Sequence, residues 1–282
     1  MTVGEDFAAF TCDFQNLSFC GAQPGNVRGE LGYNWPVSQW GTRVKWAPTG
    51  ETSLQLGVYQ VDSRYIDDGY ASHHGLVPDN PFGTTGALIP IEFAWSPKPA
   101  GLPGSYKVGA WYDSSNAADA YLDTHRQPIA LTGGAPLQRD SRSGVYVNFS
   151  QRIIGTATGR GATVFFNATQ SDRSTATSMD RQVSLGLLYT GPFDRRPSDA
   201  IGIAIGSSHV NDRIADGLRI ANALDRGDRP LPGSETVGEL FYAWAPRPYF
   251  HLQPNLQFIR HPGGIGSNAS VLVIGLRTSV DF

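Results

Sequence analysis

From residue 40 onward the chain repeats one pattern, short runs in which apolar and polar side chains alternate residue by residue. In "QWGTRVKWAP", Trp40, Thr42, Val44 and Trp46 share one face, and Gly41, Arg43 and Lys45 share the other, because successive side chains of a strand point to opposite sides. "SLQLGVYQV" sets Leu54, Leu56 and Val58 against Ser53, Gln55, Gly57 and Tyr59, and the short "APTGET" between the two runs has the length of a hairpin connection. A sustained period of two is a strand period and not a helical one, so the fold class it dictates is all-β.

The division persists downstream. "ALIPIEFAW" sets Ile89, Ile91, Phe93 and Trp95 opposite Leu88, Pro90 and Glu92; "SYKVGAWYD" sets Tyr106, Val108 and Tyr112 opposite Lys107, Trp111 and Asp113. In "GVYVNFSQ", "TVFFNAT", "QVSLGLLY" and "AIGIAIG", one face is again aliphatic or aromatic and the other is amide, hydroxyl or small. About eleven such runs follow residue 37, and "TVGEDFAAF" is expected to add another, giving about twelve strands. Pro90 and Pro254 fall inside predicted strands, where a missing ladder donor predicts local bulges.

Connections alternate as well. Segments 47–52, 96–104 and 191–199 are short, whereas 62–85, 114–142 and 210–235 are long and polar. Outer-membrane barrels sort their connections this way, and a soluble sandwich has no reason to. Val210, Ile214 and Leu218, spaced four apart in the last long segment, predict a short loop helix. The interval of about fifty residues between Trp46 and Trp95 is also that of a propeller blade, but a blade needs four strands and each interval holds two.

The aromatics fit the barrel. Trp46, Trp95, Tyr189 and Trp244 end runs that precede short turns, and Tyr106 and Phe250 begin the runs after them, so all six fall at one rim. Such rings settle where hydrocarbon meets headgroups, and the adjoining prolines suit turns that need no further donor. No apolar run approaches the ~20 residues of a membrane helix, and a mean hydropathy of −0.25 is what alternating faces produce by cancellation.

Composition excludes several classes. A net charge of −3 provides no basic surface for nucleic acid. Neither a P-loop, a dinucleotide fingerprint nor a nucleophile elbow occurs, so no cofactor and no catalytic residue is expected. His73 and His74 have no evident third ligand, so no metal is expected either. Cys12 and Cys20 enclose a short loop; one disulfide is expected, with two thiols as the alternative. Met1 is followed by no apolar leader region, as in a processed or incomplete chain.

The last run places Leu272, Ile274, Leu276, Thr278, Val280 and Phe282 on one face and ends the chain on an aromatic residue. With "TVGEDF", "CDFQNLSFCG", "YNWPVSQWGTRVKW" and "GELFYAWAPRPYFHLQPNLQFIRHPGG", the closing "VLVIGLRTSVDF" resembles the carbohydrate-selective, OprB-type porins of Gram-negative bacteria over nearly the whole length. The resemblance implies a transmembrane antiparallel β-barrel of about sixteen strands in the cell outer membrane, passing monosaccharides such as glucose down their gradient. It further implies contact with the lipid bilayer and lipopolysaccharide, recognition of the Phe282 strand by the outer-membrane assembly machinery, and a homotrimer among the assemblies open to it. Residues 1–282 would then be one porin domain equivalent to roughly the C-terminal two thirds of a family member. Closure by about twelve strands, a preceding segment, or a fragment all fit.

With the apolar faces in lipid, Arg43, Lys45, Tyr59, Glu92, Lys107, Trp111, Asp113, Glu239 and Arg277 face inward and are the candidate pore-lining residues. Charged side chains exchange hydrogen bonds with sugar hydroxyls, and the aromatic faces of Tyr59 and Trp111 stack on C–H faces. Two other classes are weighed: a barrel lipase, which needs a Ser–His pair near the rim, and a soluble propeller-like binding module.

Overall fold

Eleven strands join edge to edge in a single antiparallel sheet, each hydrogen-bonded to the next one along the chain. They are β1 (Gly41–Trp46), β2 (Thr52–Val61), β3 (Gly86–Trp95), β4 (Gly104–Asp113), β7 (Arg142–Gly155), β8 (Gly161–Ser171), β9 (Met179–Thr190), β10 (Ala200–Val210), β11 (Ser234–Arg247), β12 (Phe250–Arg260) and β13 (Val271–Val280). The β4–β7 connection carries its own pair, β5 (Ala117–Asp123) and β6 (Pro136–Arg139). In this computed structural model the described residues are 3–7, 13–19, 39–62, 64, 73, 83–247 and 249–280. Among them, β1 and β13 stand at the ends of the strand order. Cys12, Cys20, His74 and Phe282 lie outside the described residues.

The two faces meet opposite surroundings. Leu56, Ile91, Phe93, Ile203, Leu240 and Phe258 are exposed, while Gln55, Glu92, Asn148, Gln182, Glu239 and Gln253 are buried. A water-soluble sheet does the reverse, burying its aliphatic face against a second layer. Here the polar face is the inner one: short N-terminal segments pack against it, and the sheet curves around them.

Those segments correct one expectation. Residues 3–6, read as part of an additional strand, form a single helical turn, α1 (Val3–Asp6), closed by the Phe7 N–H donating to the Val3 carbonyl at 2.9 Å. The turn puts Val3 and Phe7 on one side, and both are fully buried with Tyr59, Val61, Leu88, Trp111 and Tyr146. An i,i+4 pair meeting an enclosed wall forms a helical turn, whereas alternation is useful only between two different media. Residues 13–19, which include a 3₁₀ turn at Leu17–Phe19, pack against the opposite wall, with Phe14 and Phe19 touching each other and Phe14 touching Phe165 and Phe241.

The expected bulges at the prolines do not form. Pairing of β3 with β4 runs unbroken through Pro90 opposite Trp111, and pairing of β12 with β13 runs through Pro254 opposite Leu276. Toward the other neighbour the pairing lapses beside each proline and resumes in the same register, Leu56 with Ile91 and Tyr59 with Leu88 for Pro90, Phe241 with Asn255 and Trp244 with Leu252 for Pro254. Each residue of an antiparallel strand directs its N–H to one neighbour only, so proline opens one ladder locally and leaves the other intact.

Connections sort by length with one exception. The β1–β2, β3–β4, β7–β8, β9–β10 and β11–β12 turns join strands at one rim; at the other rim the β2–β3, β4–β7, β10–β11 and β12–β13 connections are longer, whereas the β8–β9 connection, 172–178, is shorter than the β3–β4 and β9–β10 turns. At the short-turn rim Trp95, Tyr106, Phe149 and Phe166 form an outward-facing aromatic ladder with centroids 5.5, 5.5 and 6.3 Å apart, and the Arg196 guanidinium lies over Trp244. At the long-loop rim the predicted helix is present as α3 (Asp212–Asp225), its N-terminus capped by the Asn211 side chain, and it packs on β5 and on α2 (Ile129–Thr132).

Asp119 ties these loops together. Its buried carboxylate accepts from the Tyr121 and Leu122 N–H groups at 2.9 and 2.8 Å and pairs with Arg139 and, at 3.2 Å, with Arg213 of α3. Burial alone would raise its pKa; the Leu122 N–H, the Arg139 guanidinium, the Tyr121 N–H and Arg213 outweigh it and hold the carboxyl below the usual 3.8. A carboxyl whose folded pKa is depressed stabilises the fold above its unfolded value and loses that contribution as pH falls through the folded one. The Tyr121 and Leu122 amides should thus stay protected from hydrogen exchange at about pH 5 and lose protection, relative to intrinsic rates, as pH falls below about 3.8. Protection that does not weaken at any pH below 3.8 would contradict this role for Asp119.

On the inner face five glycines stand directly opposite aromatic rings: Gly41–Tyr59, Gly109–Tyr146, Gly144–Trp111, Gly186–Phe165 and Gly202–Phe241. Each ring lies over the bare backbone of its partner; a Cβ at Gly109 would come within 2.2 Å of the Tyr146 ring. Gly109→Val should therefore cost about 1–3 kcal/mol by overpacking. The expected readout is a lower temperature of conversion from the compact to the unfolded band on semi-native gels, with Gly50→Val, where nothing lies within 4 Å, as the unaffected control.

Candidate functional site

The inner face is organised by carboxylates that reach from the wall to the N-terminal segments. Around α1, Arg43 on β1 pairs with Asp6 at 3.3 Å and donates to Gln55 at 3.2 Å. The Tyr59 hydroxyl donates to the other Asp6 oxygen at 2.8 Å. Gln55 donates both to the Asp6 carbonyl at 2.8 Å and to Glu92 at 2.9 Å, and the second Glu92 oxygen accepts from the Tyr146 hydroxyl at 2.9 Å. One connected network thus spans β1, β2, β3 and β7 and fastens α1 to them.

A second network holds residues 13–19. Glu239 on β11 accepts the backbone N–H groups of Gln15 and Asn16, both at 2.9 Å, one on each oxygen, and also the Asn255 amide at 2.9 Å. From β12, Gln253 donates to the Asp13 carbonyl at 2.7 Å and Gln257 accepts from Asn16 at 2.9 Å; from β9, Gln182 donates to the Ser18 carbonyl at 3.0 Å. Arg277 on β13 donates to Gln253 and, at 3.3 Å, to the Asp13 carbonyl. A buried carboxylate is tolerated only when its lone pairs are filled, and Glu239, 2% exposed, has three donors.

The nine residues singled out in the sequence all occupy the inward register, but in different settings. Glu92, Glu239, Arg43 and Arg277 belong to the two networks, as does Tyr59, whose ring lies with Trp111 beneath α1 in the apolar cluster. Asp113, fully buried, pairs with Arg142 at 2.7 Å and accepts from Ser115 at the long-loop end of β4. Lys107 stands opposite Asn148, and Lys45 stands opposite Gln55 on the end strand β1. Sequence reasoning missed Asp6, Asp13, Phe14, Gln15 and Asn16. For the last four the only signal is that "CDFQNLSFC" breaks the alternation while still holding two phenylalanines, which marks an enclosed segment without saying where it docks.

Among the described residues no group of three or more His, Cys, Asp or Glu side chains is arranged to hold a metal ion. The carboxylates are instead saturated by amides, hydroxyls, guanidinium groups and backbone N–H groups, so the arrangement fastens the N-terminal segments to the wall. The family model for the carbohydrate-selective porins, OprB family, matches residues 1–282. The chain belongs to this family. It is 38% identical to Porin B of Pseudomonas aeruginosa over 99% of its own length and 63% of that protein's, and 35% identical to the putative porin QuiX of Acinetobacter baylyi over its whole length and 64% of that protein's. The high-pH structure of Pseudomonas putida OprB superposes with a TM-score of 0.91 at 38% identity, covering 99% of this chain and 67% of that one. The sheet is therefore porin barrel wall, and the chain spans somewhat under two thirds of the length of the curated relatives.

Removing the Glu239 carboxylate should release residues 13–19 from the wall. Glu239→Ala deletes three hydrogen bonds to a charged acceptor, each worth about 1.5–3 kcal/mol, although water entering the site will recover part of it. A cysteine placed at Gln15 should become reactive to a water-soluble maleimide in that background and stay slow beside an intact Glu239; equal rates in both would show that the anchor lies elsewhere.

Proposed function

We propose that the chain forms the wall of a passive outer-membrane channel for carbohydrates, with monosaccharides such as glucose as solutes and no chemical step. The observation that carries this reading is the inversion of the sheet: aliphatic side chains exposed outside, carboxylates and amides gathered inside. An apolar outer face needs lipid, and a polar inner face is what hydroxylated solutes cross without being held. The names of the relatives, all porins, support a channel over an enzyme.

In this reading Arg43, Lys45, Lys107 and Arg277 supply charged donors along the passage. Glu92, Glu239 and Tyr59 set its width by fixing the N-terminal segments, Trp111 packs beneath them, and Asp113 secures the long-loop end. Residues 1–282 act as one barrel unit, bounded outside by lipid and lipopolysaccharide; the Phe282 strand addresses it to the assembly machinery, and a homotrimer is the assembly to look for. Proteoliposomes containing the full chain should swell in isotonic glucose several-fold faster than in a long maltodextrin, and should release no fatty acid from their lipids. Swelling no faster than in protein-free vesicles would refute the channel, and fatty-acid release would favour a barrel lipase.

A further inference from the structure

The outer face of the wall is not evenly filled. Along β11 the outward register runs Thr236, Gly238, Leu240, so the row lacks a side chain at Gly238, between Ile205 on β10 and Phe258 on β12. The gap opens into a groove of about 570 Å³ lined by Ile205, Leu240 and Phe258 and reaching Leu185 on β9. Nothing crowds the glycine: a Cβ there would meet only the Ala204 carbonyl oxygen, at 3.9 Å. In hydrocarbon, apolar surface gains nothing merely by meeting other apolar surface, so packing and the polar groups at its mouth decide what lies in such a groove.

Charge above the groove narrows the ligand. Arg181 on β9 and Arg260 on β12 lie in the outward register at the long-loop ends of their strands, and both are exposed. At the long-loop ends of β2, β4, β7 and β8 the outward residues are Gln60, Tyr112, Ser143 and Gln170, none of them charged. The two guanidinium groups thus stand on the outermost strands of the groove and not elsewhere along that rim. The acids nearby are already engaged: Asp180 is buried against His209 at 2.7 Å, Asp212 pairs with Arg173, and Glu235 accepts the Gly263 N–H at 2.8 Å. From β9 to β12 is three strand spacings, about 14 Å. Long loops mark the outer-leaflet side of an outer-membrane barrel, and guanidinium groups there meet phosphate oxygens.

We propose that the outer face of β9–β12 binds one outer-leaflet lipid that carries two phosphates on a sugar disaccharide, the lipid A portion of lipopolysaccharide. One acyl chain lies in the groove over Gly238, and the two phosphates accept from Arg181 and Arg260. Two separated anions fit two separated guanidinium groups, whereas a lipid with a single phosphodiester engages only one. The site goes beyond the channel reading. It uses that reading for the membrane alone, and it lies on the face of the wall turned away from the passage.

Native mass spectrometry of the full chain, delipidated in detergent and titrated with bisphosphorylated lipid A, its monophosphorylated form or phosphatidylglycerol, tests the site. One lipid A per chain should bind, and affinity should fall roughly tenfold or more for the monophosphorylated form and in the double variant Arg181→Gln, Arg260→Gln, since each change removes charge-assisted phosphate contacts. Gly238→Leu, which fills the groove, should weaken lipid A severalfold and leave swelling in glucose unchanged. Equal affinity for the two lipid A forms, equal affinity in the double variant, or phosphatidylglycerol bound as tightly as lipid A overturns the site. So does a changed number of chains per particle in Gly238→Leu with lipid A binding intact, which would make the groove a contact between copies. The comparison of lipids uses the unaltered chain and therefore tests the site whatever the variants do to folding. Selective lipid A binding without glucose swelling leaves the site standing and removes the channel, and swelling without lipid selectivity does the reverse.

Discussion

The structure depends on an antiparallel ladder that passes from each strand to the next, which satisfies backbone N–H and C=O groups within the wall and leaves the side chains to decide what each face can touch. With strand side chains alternating, eleven consecutive paired strands, whose register shifts at only three places near strand ends, produce one aliphatic surface and one polar surface. Hydrogen bonding between strands is what permits the aliphatic side to meet a medium that offers no donors or acceptors. Even the two prolines respect it, each interrupting the ladder toward one neighbour without shifting the register.

A polar concave face creates a demand of its own, because carboxylates and amides enclosed by a curved wall need partners. Part of that demand is met across the strands, as in Gln55 with Glu92 and Asn148 with Asn167. A further part is met by the N-terminal segments, whose backbone groups and phenylalanines fit a wall of mixed polarity. Glycine opposite aromatic residues at five positions lets rings lie flat along the wall, which narrows the interior while keeping the backbones in regular pairing.

What the sequence reveals and what it hides divide along the same physical line. Strand positions, the sorting of connections, the aromatic rim and the α3 helix are local, and each leaves a period or a spacing in the sequence. The docking of Asp6 on Tyr59 and Arg43, or of Gln15 and Asn16 on Glu239, joins residues up to 224 positions apart and has no period. Tyr59 and Trp111 illustrate the difference. Alternation places both on the inner face, yet only the position of α1 shows that they lie beneath another segment. The proline bulges were expected because a missing donor was counted for the strand as a whole, when each N–H serves one neighbour alone.

The manner in which Glu239 grips residues 13–19 also bears on how such a barrel wall can vary. Both of its oxygens bind main-chain N–H groups of the segment, which every residue except proline provides. The attachment is therefore largely indifferent to the side chains it carries, and substitutions at Gln15 or Asn16 leave its main fastening in place. A wall built this way resembles a socket that accepts interchangeable inserts, so the lining of the interior can change while the surrounding strands stay as they are.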